Sequence, residues 1–327
     1  MRFLSHLLLT TILAFSLTAK ADDDAMQILE KMTTAAKTLS YEGVFAYQSG
    51  KNLQSIRIFH RADNNGEIER MISLNGEARE VIRTNDMVTC INPEGKQVSV
   101  SRRSLGRGFP SDLPRRLSSA APYYQLKVGE NVRTAGRQAH ELFIMPNDDY
   151  RYGYDLLVDV NDYLLLKAQL ISQKGDVLEQ FSFSSVNTNV DIPDEQFESQ
   201  MKGSEMTWHV SEPKASADMT KYSEESPWQV NWLPAGFSLI ALQNRLRTKS
   251  GADVEQRVYS DGLSSVSVFI EKIRAQHNHL IGVSHVGGIN AFGTIMHAHF
   301  VTVVGEVPKH TVEKIGASIS FNSSDND

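Results

Sequence analysis

The chain has 327 residues, and its 33 Lys and Arg against 39 Asp and Glu leave a net charge of −6. That balance excludes a general nucleic-acid binder, which would be basic. A single cysteine, Cys90, excludes an internal disulfide, and the length is enough for two ordinary domains.

Met1 and Arg2 give a short positive start, and Leu7 to Leu17 is apolar apart from small hydroxyl residues. Ala19 and Ala21 follow with the small-x-small spacing that a signal peptidase cuts after. The run is too short to span a bilayer, which takes about 20 apolar residues, and Asp22, Asp23 and Asp24 come straight after it. Residues 1–21 are therefore expected to be a cleaved secretory signal. The mature chain would start near Asp22, outside the cytoplasm and away from its nucleotides. Its net charge would be −8, because Arg2 and Lys20 leave with the signal.

Met26, Leu29, Met32, Ala36 and Leu39 recur at three- and four-residue steps and predict an amphipathic helix over Asp24–Leu39. About eleven short strands should follow, from Tyr41–Tyr47 to Val177–Val186. Their joints are Gln48–Asn52, Asp63–Gly66, Asn75-Gly76-Glu77 and Lys174-Gly175-Asp176, which are hairpin-type turns. An antiparallel sheet of that size must curl. Covered by a helix, it suggests a half-barrel with an apolar concave face. Cys90, on one of these strands, reads as a buried small hydrophobe.

From Gln200 to Glu225 the residues are polar, small and aperiodic, so 201–225 is expected to be a linker between a domain at 22–200 and another at 226–327. Strands are expected near Ser238–Gln243, Val254–Tyr259 and Ser264–Glu271. A further long strand over Gly293–Val304 and a helix over Val307–Ile319 would complete the second domain, with Pro308 permitted in the helix's first turn. The fold class expected is α+β, mainly β.

Five histidines lie between His277 and His299. His297 and His299 would share a face of the expected strand, but no acid or cysteine stands at ligand spacing, so they read as a solvated surface and no metal is expected. Gly282 and Gly287-Gly288 lack the context of a dinucleotide loop and read as a hairpin or loop. Asp148-Asp149 reads as the start of a turn before Tyr150. No nucleophile elbow, zincin helix or phosphate loop is present. Neither enzyme activity nor a cofactor is expected.

Two clusters stand out. Arg102, Arg103, Arg107, Arg115 and Arg116 crowd between Ser101 and Arg116 with Asp112 as the only acid. They read either as a solvated loop or as a grip on anionic lipid phosphates or an acidic partner segment. Tyr150, Tyr152 and Tyr154 alternate along one face, as core packing or as the wall of a ligand cavity. The inner wall of a half-barrel would be both.

The order of several segments resembles the periplasmic sigma-E regulatory family called RseB or MucB. They are Tyr41–Tyr47, Phe59-His60-Arg61, Glu69–Val81, Arg151–Asp159, Leu178-Glu179-Gln180-Phe181, Trp232–Phe237 and Tyr259–Val268. The resemblance implies an N-terminal half-barrel like the lipoprotein carriers LolA and LolB, and a smaller C-terminal domain. It further implies a partner, the periplasmic region of a membrane-bound anti-sigma factor of the RseA or MucA type. The protein would shield that region from regulated proteolysis until lipopolysaccharide or another lipid relieves it. A periplasmic lipid or lipoprotein carrier and an envelope hydrolase are the other classes considered, and a homo-oligomer is left open.

Overall fold

Ala25, Leu29, Met32 and Ala35 fall at three- and four-residue steps, so a helix gathers them on one side. They form the buried stripe of α1 (Phe15–Thr38), with Met26 only half-buried beside it. The computed structural model describes residues 15–64, 66–85, 87–92, 94, 96–102, 120–199, 206–211, 226–246, 253–273 and 281–322. The helix starts earlier than Asp24, because neither proline nor glycine interrupts Phe15–Asp24. Cutting after Ala21 would leave the buried stripe whole. No helix among the described residues is long and apolar enough to cross a membrane.

The strands that follow are β1 (Tyr41–Ser49), β2 (Asn52–Asp63), β3 (Gly66–Ser73), β4 (Glu80–Thr84), β5 (Met87–Asn92) and β6 (Gln97–Arg102). Next come β7 (Tyr124–Val128), β8 (Val132–Thr134), β9 (Arg137–Pro146), β10 (Gly153–Asp159), β11 (Leu165–Ile171), β12 (Val177–Thr188) and β13 (Thr207–Ser211). They make one large open sheet in the order β13-β6-β5-β4-β3-β2-β1-β12-β11-β10-β9-β7, with β8 also on β9. The turn chemistry works as expected: Ser49 pairs with Asn52 across Gly50-Lys51, where Gly50 has φ +58°. Gly76 and Gly175 also take positive φ at their turns.

Two strands differ from the sequence expectation. Strand β8 is only three residues long, too short to show a period. Strand β13 lies inside the expected linker and runs parallel to β6, pairing Thr207 with Gln97 through to Ser211 with Ser101. Thr-Trp-His-Val-Ser has the β-branched and aromatic content of a strand, but its pairing partner lies far away in sequence and polar residues flank it. Cys90 corrects a third expectation. It is exposed, because strand alternation turns its neighbour Ile91 inward.

Helix α1 packs mainly on β7. Its stripe meets Leu142, Ile144, Leu156, Val158 and Leu165. Farther along, Phe45, Phe181 and Phe183 touch edge to face, with centroids 4.8–5.8 Å apart.

The C-terminal unit comprises β14 (Trp228–Val230), β15 (Ser238–Leu246), β16 (Asp253–Ser260), β17 (Ser265–Lys272), β18 (Gly282–Val286), β19 (Ile289–Met296), β20 (His299–Gly305), α2 (Lys309–Ala317) and β21 (Ile319–Phe321). Six of these strands form a sheet ordered β15-β16-β17-β20-β19-β18, while β14 pairs with β21. Val266, Val268, Ile270, Val301 and Val303 point to the face that Val312 and Ile315 of α2 cover. The expected strand over Gly293–Val304 is instead parts of two, joined at His297-Ala298, where both residues take positive φ (48° and 58°) as a tight hairpin turn requires. His297 and His299 thus do not alternate along one strand. Their rings still meet at Phe321, with centroids 4.9 and 6.3 Å away.

Beneath the end of α1, His60 is almost fully buried and stacks on Tyr41 at 4.8 Å. Its Nδ1 lies 2.8 Å from the Leu39 carbonyl and its Nε2 3.3 Å from Glu67. Burial opposes its charge, but the Glu67 carboxylate and the Leu39 carbonyl outweigh that, and its pKa is raised. A raised folded pKa gives stability that is full below the unfolded value of about 6.5 and fades as pH climbs through the folded one. His60→Gln should therefore flatten the fall in stability above about pH 6.5, measured by urea unfolding across a pH series. Parallel curves for variant and wild type would contradict this.

Candidate functional site at the domain junction

The turn before β10 supplies the side chains that fasten the two domains. Asp148 accepts the Tyr150 backbone N–H at 3.0 Å, an aspartate turn that aims the next residues across the junction. Arg151 is fully buried there. Its Nε donates to Asp261 at 2.7 Å, and its two terminal nitrogens donate to Asp148 and to the Ala235 carbonyl. The guanidinium also lies 4.9 Å from the Tyr123 ring centroid and 5.2 Å from that of Phe237. Burial works against its charge, yet the Asp261 hydrogen bond and charge hold its pKa above the ordinary value.

Asp261 is shaped to receive that charge. Its Oδ1 accepts the backbone N–H groups of Leu263 and Ser264 at 2.8 and 2.7 Å, which fixes the carboxylate in its own turn. Oδ2 takes Arg151 and the Tyr124 hydroxyl, the latter at 3.1 Å. Burial first, and then the Asp261 charge, push the Tyr124 hydroxyl well above the usual tyrosine range, so it stays a neutral donor. Gly236, at φ +86°, approaches the Tyr123 ring so closely that any side chain there would collide with it.

The three tyrosines all engage the second domain. Tyr150 accepts a hydrogen bond from Lys314 at 2.8 Å through its hydroxyl and one from Thr311 at 3.1 Å through its carbonyl, and its ring meets Trp232 edge-on at 4.9 Å. Lys314 also sits 4.0 Å above the Trp232 ring. The Tyr152 hydroxyl accepts from Asn290 at 2.9 Å. Tyr154 packs against the α1 core and donates to Glu306 at 3.3 Å.

Glu179 makes a second fastening. It accepts from Tyr47 (2.8 Å), from Ser49 (3.0 Å) and from the backbone N–H of Gly288 (3.1 Å). Burial, and then the bond to Glu179, push the Tyr47 hydroxyl up to about 12. Gly287-Gly288 is the tight turn between β18 and β19. A side chain at Gly287 would collide with Ser49, and one at Gly288 with Leu170. The glycines that read as a hairpin or loop in the sequence are a hairpin turn, and it docks on the first domain.

Of the arginine cluster, Arg102 ends β6, opposite Met87. Arg103, Arg107, Arg115 and Arg116 lie outside the described residues. Residues 103–119 connect β6, next to one edge of the sheet, with β7 at the other. Asp261, Glu179 and Asn290 were not singled out by type or spacing, although Asp261 and Glu179 fall inside segments that carry the family resemblance. No group of three His, Cys, Asp or Glu is gathered among the described residues. The geometry offers a rigid joint and a surface shared by two domains.

Removing Asp261 should strand the buried Arg151 charge. Asp261→Ala is expected to cost about 3–5 kcal/mol, measured by denaturant unfolding. Arg151→Met combined with Asp261→Leu should recover part of that loss, because no fully buried charge is then left unpaired and the partly exposed Asp148 can turn to water. A double variant no more stable than Asp261→Ala would refute the pairing as the source.

The MucB/RseB N-terminal domain model matches residues 24–201 and the MucB/RseB C-terminal domain model matches 222–320. The sigma factor AlgU regulatory protein MucB of Pseudomonas aeruginosa is 32% identical over 96% of this chain and 95% of its own. The sigma-E factor regulatory protein RseB of Escherichia coli is 26% identical over 97% and 96%. Among solved structures, the Pseudomonas aeruginosa MucA/MucB complex aligns over 92% of this chain and all of the other, at 29% identity and TM-score 0.71. MucB crystallised by itself aligns over the same 92% of this chain and 98% of its own, at 27% identity and TM-score 0.59. Across both its domains, this chain belongs to the MucB/RseB family.

Proposed function

We infer that the protein is a periplasmic negative regulator of a sigma-E-type envelope stress response. It binds the periplasmic region of a membrane-bound anti-sigma factor and keeps that region from regulated proteolysis. The observation that carries this reading is the match through both domains to MucB, including MucB solved with MucA. The overlay is better on MucB in that complex than on MucB alone, which supports the same reading. A binder that works by covering a peptide needs a surface of fixed shape, and the buried joint provides one. The leader-like residues 1–21 support export. The test is digestion of the partner's periplasmic region by its site-specific protease with and without this protein. Cleavage should slow in its presence, and equal rates would refute shielding.

Relief by lipid is the second part of the reading. It is supported by the five arginines between Ser101 and Arg116, in a segment that joins the two margins of an open curled sheet. Guanidinium groups read phosphates through paired charge-assisted hydrogen bonds, which an apolar face cannot do. Single exposed pairs are weak and screened by salt, so the cluster has to act together. Replacing Arg102, Arg103, Arg107, Arg115 and Arg116 with Gln should weaken lipopolysaccharide binding, most visibly at low ionic strength, with thermal stability unchanged. Wild-type affinity in the variant at low salt would move headgroup recognition elsewhere.

The division of labour that assigns partner contact to the second domain is also proposed. Truncation after Gln200 is a poor test of it, because it would leave Arg151 and Tyr152 without Asp261 and Asn290. Surface substitutions, which leave the joint intact, serve better.

A further inference from the structure

A strand at a sheet edge offers unpaired N–H and C=O groups, and proteins protect such edges with charge, proline, bulges or a covering element. Edge strand β7 carries Lys127 and lies under α1. Edge strand β15 carries Arg245 and breaks register between Leu239 and Ala241. Among the described residues, strand β18 has none of these devices. Gly282-Val283-Ser284-His285-Val286 contains no Lys, Arg, Asp, Glu or Pro, and its pairing with β19 is regular. Among the described residues it pairs with β19 alone.

The surroundings of this edge are apolar. Val286 and the adjacent Ile281 are 66% and 68% exposed. Val286 pairs with Ile289, and strand alternation puts both on the side opposite α2 together with Ile295. A side chain at Gly282, which stands opposite the buried Gly293, would meet nothing within 4 Å, so the edge strand itself leaves room there. Where β18 ends, Gly288 is tied to Glu179, and on the same face of the first sheet as Glu179 stand Tyr47 and Val177, both exposed. The patch therefore meets the domain junction at the Gly287-Gly288 turn.

We propose that β18 accepts an extended segment of the protein partner as a seventh strand, which then runs past the Gly287-Gly288 turn onto Tyr47 and Val177. Open backbone groups select a strand, and the exposed Val and Ile select a segment with apolar residues at alternate positions. A path one strand wide that crosses to a second domain suits a flexible segment. A second copy of this chain would offer only its own five-residue β18 before reaching its turn. Such pairing also explains shielding, because a segment whose backbone is engaged at a sheet edge cannot be held in extended form by a protease. The inference rests on the functional reading above and names its surface.

The test uses the full mature chain, MucA(peri) as probe, and the variants Ser284→Lys and Val286→Lys, which put charge on the edge without touching the joint. Wild type should bind MucA(peri), and the backbone amides of 283–286 should gain protection from hydrogen exchange on binding. Each variant should bind at least tenfold more weakly at unchanged Tm. Wild-type affinity in both variants, with no new protection at 283–286, would overturn the β18 assignment while leaving the functional reading standing. Absence of binding by wild type would overturn the functional reading, and this surface with it. Self-association of wild type that Val286→Lys abolishes, at unaltered affinity for MucA(peri), would make β18 a contact between copies and likewise overturn the proposal.

Discussion

The structure depends on one buried cation. A guanidinium removed from water is expensive unless its charge is matched and its donors are met, and Arg151 is provided for from both sides of the chain. Asp148 comes from its own turn, Asp261 and the Ala235 carbonyl from the second domain, and aromatic rings close the remaining sides. Because the partners come from different domains, separating them exposes or strands the charge. The two domains thereby acquire a defined arrangement.

That arrangement gives the surface its meaning. Val286 and Ile289 belong to one domain, Tyr47 and Val177 to the other, and each set alone is a scatter of exposed apolar side chains of the sort most surfaces carry. Docked through Glu179 and the Gly287-Gly288 turn, they become a continuous strip beside an unprotected strand edge. The affinity of a surface built this way depends on its preorganisation, because the ordering cost has already been met in folding. The hydrogen bonds at the joint are thus part of recognition although they face no partner.

Much of the architecture was legible in the chain. The 3.6-residue period placed α1, and the turns at Gly50, Asn64-Asn65, Gly76 and Gly175 marked hairpins whose strands are contiguous in sequence. Local signals of this type failed where the partner was distant. Strand β13 is a strand because β6 lies beside it, and Cys90 is exposed because Ile91 is needed inside. The break at His297-Ala298 depends on two residues accepting positive φ, which neither residue type announces.

Sequence by itself carried the family resemblance, in segments that include Arg151–Asp159, Trp232–Phe237 and Tyr259–Val268. It also placed many single elements, because apolar periodicity and turn residues act over a few positions and can be read locally. Only the tertiary structure decided that these three segments meet, that Tyr150, Tyr152 and Tyr154 face the second domain, and that Gly287-Gly288 is a docking turn. Arg151 and Asp261 are 110 positions apart. Their pairing follows from burial in a shared low-dielectric joint, and no spacing along the chain encodes which distant carboxylate a buried arginine will find.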